Sequence, residues 1–289
     1  MIRLAAVFLA TLTVAVPGGV AAQTSATPSG TASRTLDADP WCTRDRGGDY
    51  GAERRAQACE VREVLLSAAA LDLDGTPNGS VTVKRWDRPD VLVRARVRAY
   101  ARTEADARQS VRATRLQAER GTVRAVLPRA GRPDGSPWTT VSYEVFAPRR
   151  TSLAVRTQNG AISVHGLDGG VRLRALNGAI ALADVGGDVQ AETVNGAVSV
   201  SLGDGWSGDG IRVQTVNGAV SLSLSQGVSA DLEAQTRVGR IALAGLDVTG
   251  LDRERGRYMG DRVQARLGRG GAPVQLATTN GSISIRQSR

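Results

Sequence analysis

The sequence Thr-Val-Asn-Gly-Ala-Val-Ser occupies residues 193–199 and recurs unchanged at residues 215–221. Shorter versions of this phrase, Asn-Gly followed by alternating small and aliphatic residues, begin at Asn78, Asn159, Asn177 and Asn280. At Val238-Gly239 the phrase returns with valine in place of asparagine. A phrase repeated so closely indicates that the chain is built from copies of one structural unit.

The copies follow one another at a nearly constant spacing. Asn159, Asn177 and Asn195 are 18 residues apart, Asn217 follows after 22 residues, and Val238 after a further 21. Period-two alternation on both sides of each Asn-Gly pair predicts short strands with one buried face. The predicted inward residues are all aliphatic: Ile162, Val164, Ile180, Leu182, Val198, Val200, Val220, Leu222, Ile241, Leu243, Ile283 and Ile285.

Two architectures account for such units. Asn-Gly between alternating strands is a strong hairpin signal, which favours an antiparallel β-meander or sandwich. In a parallel solenoid the same pair is a corner, and the asparagines of successive rungs stack as a ladder of side-chain amides. Near-identical units favour the solenoid, because a meander does not need that identity. We predict a mostly β, parallel β-solenoid or β-helix-like domain with rungs of 18–22 residues, with the antiparallel meander or sandwich as the alternative.

The first residues have the composition of a secretory signal peptide. Arg3 precedes an apolar run from Leu4 to Val16, and Val20-Ala21-Ala22 is a small-residue cleavage site. Residues 1–22 are therefore predicted to be a signal peptide, with a retained membrane anchor as the alternative. Residues 23–40 are rich in Ser, Thr, Ala, Pro and Gly and are predicted to be a flexible linker.

The remaining residues, 41–289, are predicted to form a single β-repeat domain. Its first half, 41–150, is irregular, and its second half, 151–289, contains the regular Asn-Gly repeats. One inserted helix is predicted at about 103–117, because Thr103-Glu104-Ala105-Asp106 resembles a capping box with Asp in the Glu position.

Cys42 and Cys59 are the only cysteines in the sequence. A lone pair in an exported protein is expected to form a disulfide bond. A redox site or half a metal site is the alternative, and it is disfavoured because there is no Cys-x-x-Cys and His165 is the only histidine.

The chain carries a formal net charge of +9, almost all of its cations being arginine. On the strand predicted from Val91 to Ala99, the residues Arg94, Arg96 and Arg98 project from one face. Glu60, Glu63 or Glu144 on neighbouring strands would neutralise them as cross-strand pairs. If they do not, the three arginines form a candidate anion-binding site. An ordinary solvated surface is the other reading of this charge.

Motifs for catalysis, cofactors or metals are not found. The sequence contains no phosphate-binding loop, no His-Glu-x-x-His and no calcium loop, and His165 is expected to be a surface turn residue. A polysaccharide-acting β-helix enzyme would use clustered carboxylates. The candidates are Asp168, Asp184, Asp188, Asp204 and Asp209, but one 18-residue period carries Asp168 to Gly186, so they are not expected to stack in one column.

Several of these features occur together in a known family. The chain resembles the bacterial putative-adhesin family of β-strand-repeat proteins, a domain family of unknown function, over roughly Cys59 to Arg286. The resemblance rests on the Asn-Gly-x-(Ile/Val)-x-(Val/Leu) phrase, on Trp86-Asp87-Arg88, and on Val141-Ser142-Tyr143-Glu144-Val145 before the repeats. It implies an exported β-solenoid-like domain without established enzymatic activity, and brings no functional residues with it. The missing corner asparagine at Val238 is a departure.

We therefore expect an exported, non-enzymatic envelope structural or interaction module, adhesin-like, in the periplasm or at the cell surface. The sequence does not identify the partner; the candidates are an anionic envelope polymer, a lipid surface or another envelope protein. Nucleic acid is disfavoured by export and by the lack of aromatics among the basic residues. The mature chain is expected to have no transmembrane segment, no cofactor and no metal. A polysaccharide-acting β-helix enzyme or a carbohydrate-binding module is the alternative.

Overall fold

The computed structural model describes residues 32–36, 39–43, 56–75, 77–128, 138–256 and 260–288, the first of these ranges by its backbone alone. The predicted signal peptide, residues 1–22, lies outside the described residues. In chain order the elements are β1 (Ala32–Leu36), α1 (Pro40–Thr43), β2 (Ala56–Leu66), β3 (Ala70–Asp74), β4 (Val81–Arg85), β5 (Val91–Ala101), α2 (Glu104–Ala113), β6 (Arg115–Glu119), β7 (Thr122–Val126), β8 (Trp138–Ala147), β9 (Ser152–Asn159), β10 (Ile162–His165), β11 (Val171–Asn177), β12 (Ile180–Val185), β13 (Val189–Asn195), β14 (Val198–Leu202), β15 (Ile211–Asn217), β16 (Val220–Leu224), β17 (Ala230–Val238), β18 (Ile241–Ala244), β19 (Val248–Arg255), β20 (Asp261–Leu267), β21 (Ala272–Asn280) and β22 (Ile283–Gln287).

The strands form two large mixed sheets with one hydrophobic core between them. Sheet A has the order β1-β2-β5-β8-β4-β10-β12-β14-β16-β22-β18, and sheet B has the order β19-β20-β17-β21-β15-β13-β11-β9-β3-β7-β6. The aliphatic residues predicted to point inward are buried, except that Leu243 on the edge strand β18 is half-buried. The fold is therefore mostly β, as predicted, and its two mixed sheets are sandwich-like.

Within the Asn-Gly repeats, strands pair in parallel with the equivalent strands of neighbouring repeats. Ile180 lies in register with Ile162 on one side and with Val198 on the other. The strands before and after an Asn-Gly pair belong to different sheets, as β11 and β12 do. These pairs are therefore corners between the sheets, and the hairpins of an antiparallel meander are not formed there.

Antiparallel pairing is concentrated in the first half of the domain and in the segment from β17 to β20. The long strands β2, β5 and β8 pair antiparallel, and α2 packs against β2 and β5. Thr103 caps this helix, its hydroxyl oxygen accepting a hydrogen bond from the Asp106 amide. The predicted helix at 103–117 is too long, because Arg115–Glu119 forms β6 and pairs with β7. Thr114, with extended backbone angles, ends the helix.

The predicted linker, residues 23–40, also needs correction in part. Its residues Ala32–Leu36 form β1, which pairs antiparallel with β2 at the edge of sheet A. Pro40 begins the short helix α1. A polar composition did not prevent strand formation here, because the exposed edge of β2 offers unpaired backbone groups to any neighbouring extended segment.

A ladder of asparagine side chains connects the corners. Each Asn donates from Nδ2 to Oδ1 of the Asn in the preceding repeat, over 2.8–3.1 Å, from Asn280 through Asn217, Asn195, Asn177 and Asn159 to Asn78. Val238 occupies the equivalent position on β17, which lies beyond β21 in sheet B. Because β21 inserts between β15 and β17, the departure at Val238 falls at the end of the ladder and leaves it unbroken.

Glycine makes the same corners possible. A Cβ added to Gly196 would lie 2.1 Å from the carbonyl oxygen of Gly178, the corner glycine of the preceding repeat. A side chain at this position would therefore push the repeats apart. The threonine before each corner adds a hydrogen bond between repeats: Thr193 donates to Gly178 O over 3.0 Å, and Thr215 to Gly196 O over 2.9 Å.

A pair of side chains closes the open edge of sheet A at β18. The Ile241 amide donates to Asp261 Oδ2 over 2.9 Å, and the Ile241 carbonyl accepts from Arg253 Nη2 over 2.7 Å. Arg253 Nε also donates to Asp261 Oδ1 over 3.0 Å. The pair thus replaces the hydrogen bonds that another strand would make. Burial alone would raise the pKa of Asp261, but the bonds from Arg253 and the Ile241 amide outweigh it and lower that pKa.

Ala175 is the exception in the threonine column, since its strand neighbours Thr157 and Thr193 both carry the hydroxyl. We expect Ala175→Thr to stabilise the protein by about 1 kcal/mol, because the new hydroxyl can donate to Gly160 O. Ala191→Thr is the control, since Ala191 is fully buried in the core and the larger side chain is expected to destabilise. Urea denaturation measures both, and a loss of stability in both variants would contradict the pattern.

Asp261→Asn is expected to cost about 1–3 kcal/mol at pH 7, because the amide replaces a buried, hydrogen-bonded carboxylate. Since the folded-state pKa of Asp261 is lowered, its contribution is complete above the ordinary Asp pKa of about 3.9 and is lost as pH falls through the folded value. The difference in free energy of unfolding between Asp261→Asn and the natural protein should therefore narrow at about pH 3. Asp231→Asn, in an exposed pair, is the control with little effect at either pH.

Candidate functional site

The three arginines of β5 lie on the outer side of sheet A, between β2 and β8. Arg94 is surrounded by carboxylates: its Nε donates to Glu63 Oε1 over 2.9 Å, its Nη1 to Glu144 Oε2 over 2.8 Å, and its Nη2 to Asp39. Burial alone would lower the pKa of Arg94, but the bonds to Glu63 and Glu144 and the charge of Asp39 raise it. Two of the three predicted cross-strand acids thus neutralise Arg94.

The short helix α1 covers the other two arginines. Arg96 Nη1 donates to the Trp41 carbonyl over 3.0 Å, and its guanidinium lies 4.8 Å from the Trp41 ring centroid. Arg98 donates to the Cys42 carbonyl over 3.5 Å and is 9% exposed. The disulfide between Cys42 and Cys59 joins this segment to β2.

The chain itself therefore supplies partners for the arginine stripe, which was predicted as a candidate anion-binding site. Glu60, the third predicted partner, instead pairs with Arg62 over 2.6 Å. Arg62 also donates to the carbonyls of Val111 and Thr114 at the end of α2. The stripe is an internal junction between the N-terminal segment and sheet A, and binding of an external anion there stays a prediction.

Two of the acidic turn residues, Asp168 and Asp184, lie against glycines of the next repeat. Asp168 accepts from Arg149, and its Oδ1 lies against Gly186 of the next repeat, 2.4 Å from where a Cβ would stand. Asp184 faces Gly203 in the same way. His165 is exposed at the end of β10. Across the described ranges, no group of three or more His, Cys, Asp or Glu is placed to hold a metal ion.

The outer face of sheet B, here called the sheet-B face, carries charged, polar and aliphatic side chains. Because the strands are in register, equivalent residues form three columns across them. The first column has Asp72, Ala154, Arg172, Gln190, Arg212 and Gln275; the second has Arg156, Arg174, Glu192, Gln214 and Ala277; and the third has Gln158, Leu176, Val194, Val216 and Thr279.

The third column is unusual because its aliphatic members face solvent. Leu176, Val194 and Val216 are 46%, 36% and 41% exposed. They lie on three adjacent strands, about 4.8 Å apart, and are flanked by the Arg174–Glu192 ion pair at 3.1 Å. Exposed apolar patches rimmed by polar groups often mark interaction surfaces.

The outer face of sheet A has a different composition. Its repeat strands present small side chains in the equivalent column, namely Ser163, Ala181, Ser199, Ser221 and Ser284. The sequence pattern does not distinguish the outward positions of the two sheets, and it did not lead us to predict the exposed aliphatic column of the sheet-B face. The signal was present, since the residue before Asn177, Asn195 and Asn217 is apolar each time.

Two grooves run across the strands of the sheet-B face. One, of about 820 Å³, lies at the strand starts and includes Arg172, Gln190 and Arg212 in its lining. The other, of about 650 Å³, lies near the corners and includes Val194 and Val216.

None of the helices in the described part of the chain is long and apolar enough to span a membrane.

We expect Arg94→Leu to destabilise the protein by about 2–4 kcal/mol, because it removes the guanidinium that Asp39, Glu63 and Glu144 share. Glu144 keeps its pair with Lys84 at 3.0 Å. The control is Arg156→Leu, whose pair with Asp72 at 3.1 Å is exposed and should contribute below about 1 kcal/mol. Urea denaturation at pH 7 compares the two. Equal losses would mean that the arginine stripe is not a structural junction.

The comparisons with known proteins rest on structure, because no protein-family model and no curated protein matches the chain. A putative cell adhesion protein from Clostridium sporogenes is 10% identical, with a TM-score of 0.44, covering 81% of this chain and 100% of that one. A putative adhesin from Bacteroides fragilis is 8% identical, with a TM-score of 0.30, covering 79% and 97%. A putative lipid binding protein from Parabacteroides distasonis is 13% identical, with a TM-score of 0.25, covering 80% and 97%. Proteins named as putative adhesins are thus among the solved structures similar to this chain.

Proposed function

We propose that this chain is an exported, non-enzymatic interaction module of the cell envelope that binds its partner through the sheet-B face. In this proposal the Asn-Gly repeats are a parallel β-solenoid, a rigid scaffold that presents columns of side chains at strand spacing. The observation that carries the proposal is the exposed aliphatic column of Leu176, Val194 and Val216 beside charged columns. Folding does not require apolar side chains there, since they face away from the core.

Export is supported by two features. The Cys42–Cys59 disulfide is of a kind that persists in oxidising compartments and is rare in the cytosol. The N-terminal sequence has the charged start, apolar run and small-residue cleavage site of a secretory signal. The proposed location is the periplasm or the cell surface.

A scaffold role is supported by the arrangement of the repeats. Parallel strands in register one repeat apart place equivalent side chains about 4.8 Å from one another along the whole face. Such a regular surface suits an extended or flat partner. The carboxylates of Asp168 and Asp184 face glycines of the next repeat, so we assign no polysaccharide-cleaving pair to them.

Site-specific photo-crosslinking tests the choice of face. A photoreactive side chain is placed at Val194, on the sheet-B face, and at Ser199, an exposed position on the outer face of sheet A. The full-length protein is expressed with its leader, irradiated in intact cells, and analysed for covalent adducts. We expect adducts from the Val194 position and few or none from Ser199.

The thermal stability of both labelled proteins must match that of the natural protein for the comparison to count. Adducts of equal amount from both faces, or adducts from Ser199 alone, would show that the sheet-B face is not the binding surface. Recovery of the protein only from the cytosol, with both thiols accessible to alkylation, would overturn the proposed export.

A further inference from the structure

The groove at the strand starts of sheet B, here called the strand-start groove, has features of a binding site. It crosses β3, β9, β11, β13, β15 and β21, and one end is bounded by the turn between β6 and β7. Six strands are separated by five spacings, so the groove spans about 24 Å. Its volume is about 820 Å³, and this length and shape suit an extended polymer better than a compact small molecule.

The acids of the groove are already engaged, at least in part. Asp72 accepts from Arg156 Nη2 over 3.1 Å. Asp188 accepts from the backbone amide of Asp209 in the next repeat, which holds the loop before β15 against the preceding turn. Two of the three acids of the groove therefore serve contacts between strands, and the third, Asp209, has an exposed side chain.

The arginines of the groove are less engaged. The side chains of Arg120 and Arg212 are exposed and make no hydrogen bond or ion pair with any described residue. Arg172 uses only Nε, which donates to Gln190 Oε1 over 3.0 Å, so its two Nη groups remain available among the residues described. The groove thus offers more guanidinium donors than its own acids satisfy.

The spacing of these donors is set by the sheet. Arg172 and Arg212 are in register with Gln190 between them, two strands and about 9.6 Å apart. Arg120 belongs to the turn before β7, which lies three strands from β11. Gln190 and Gln275 add side-chain amides to the same column. Gln190 already accepts from Arg172 and donates to Glu192 Oε1 over 2.8 Å, which leaves one amide hydrogen and one lone pair for a ligand. Cations therefore alternate with groups that bind hydroxyls.

We propose that the strand-start groove binds an extended anionic polysaccharide, with Arg172 and Arg212 pairing with its carboxylates and Gln190 and Gln275 with its hydroxyls. Guanidinium groups bind carboxylates through two parallel hydrogen bonds, which gives both strength and direction. This inference rests on the proposed function and names the class of partner for the same face.

Other polymers fit the groove less well. Extended peptides commonly add to a sheet edge, whereas this groove crosses the face of six strands whose backbone groups are already paired. Single-stranded nucleic acid is held by aromatic stacking, and no aromatic side chain occurs among the described residues that line the groove.

The test uses the disulfide-bonded mature protein and polygalacturonate, a polymer of uronic acid, as the probe. Dextran is the neutral glycan and polyglutamate the acidic peptide. Affinities are measured by calorimetry at low and physiological salt. The test variant is Arg172→Gln with Arg212→Gln. Its matched control is Arg240→Gln with Arg286→Gln, two exposed arginines outside the sheet-B face that lose the same charge.

We expect polygalacturonate to bind the natural protein. The groove variant should weaken this binding by about tenfold or more, which corresponds to a loss of roughly 1.4 kcal/mol of binding free energy. The control variant should change the affinity by less than about threefold. Dextran and polyglutamate should bind at least tenfold more weakly. Equal thermal unfolding of both variants shows that neither acts through stability.

Three results would overturn the inference. Absence of polygalacturonate binding at low salt excludes the ligand class. An equal loss in groove and control variants shows a diffuse attraction by the net charge. Equal binding of polyglutamate shows a general acidic-polymer or peptide surface. Because photo-crosslinking from Val194 is independent of this probe, adducts there combined with no polygalacturonate binding would reject the glycan and leave the interaction module standing.

Discussion

The fold depends on how closely successive repeats approach at their Asn-Gly corners. At Gly196, an added Cβ would stand 2.1 Å from the carbonyl oxygen of Gly178, so only glycine permits the contact. Once the backbones are this close, the asparagine amides reach one another at 2.8–3.1 Å. The threonine hydroxyl can then donate to the glycine carbonyl of the preceding repeat. The close approach of the backbones at the corner thus accounts for the glycine, the asparagine and the threonine of the repeated phrase. This explains why the phrase is nearly invariant while the turns between phrases vary.

Pairing between neighbouring repeats also requires that the end strands of the sheets be closed. A growing parallel stack leaves unpaired backbone groups on its last strand. Asp261 and Arg253 satisfy the outward-facing amide and carbonyl of Ile241. At the other end, the long antiparallel strands β2, β5 and β8 extend sheet A and carry α2. The irregular parts of the chain are therefore the structures that terminate the regular part.

Much of this could be predicted from the sequence, because local rules decide it. Alternation identified the buried aliphatic residues, and the constant spacing identified the residues that become neighbours, such as Ile162, Ile180 and Val198. What failed depended on which strands pair with one another. The helix at Glu104–Ala113 ends early because Arg115–Glu119 pairs with β7. The missing asparagine at Val238 leaves the ladder unbroken because β21 inserts between β15 and β17, an order that spacing alone does not reveal.

The candidate sites show the same limit. The arginine stripe of β5 was visible as a run of alternating charge, and two of its acids were named in advance. Its cover, Asp39 and Trp41, comes from a segment more than 50 residues away in sequence, which no periodicity signals. The strongly charged strand β5, which lies outside the regular repeats, thus takes part in internal packing.

In the repeats the opposite holds. The inward and corner positions are fixed by packing, so only the outward columns are free to differ between one strand and the next. The change from Arg172 to Gln190 to Arg212 along one column cannot be explained by the core, which is equally aliphatic beneath all three. Variation at positions that folding leaves unconstrained is where a binding preference can be encoded, and this makes the sheet-B face, more than the arginine stripe, the surface on which function is to be sought.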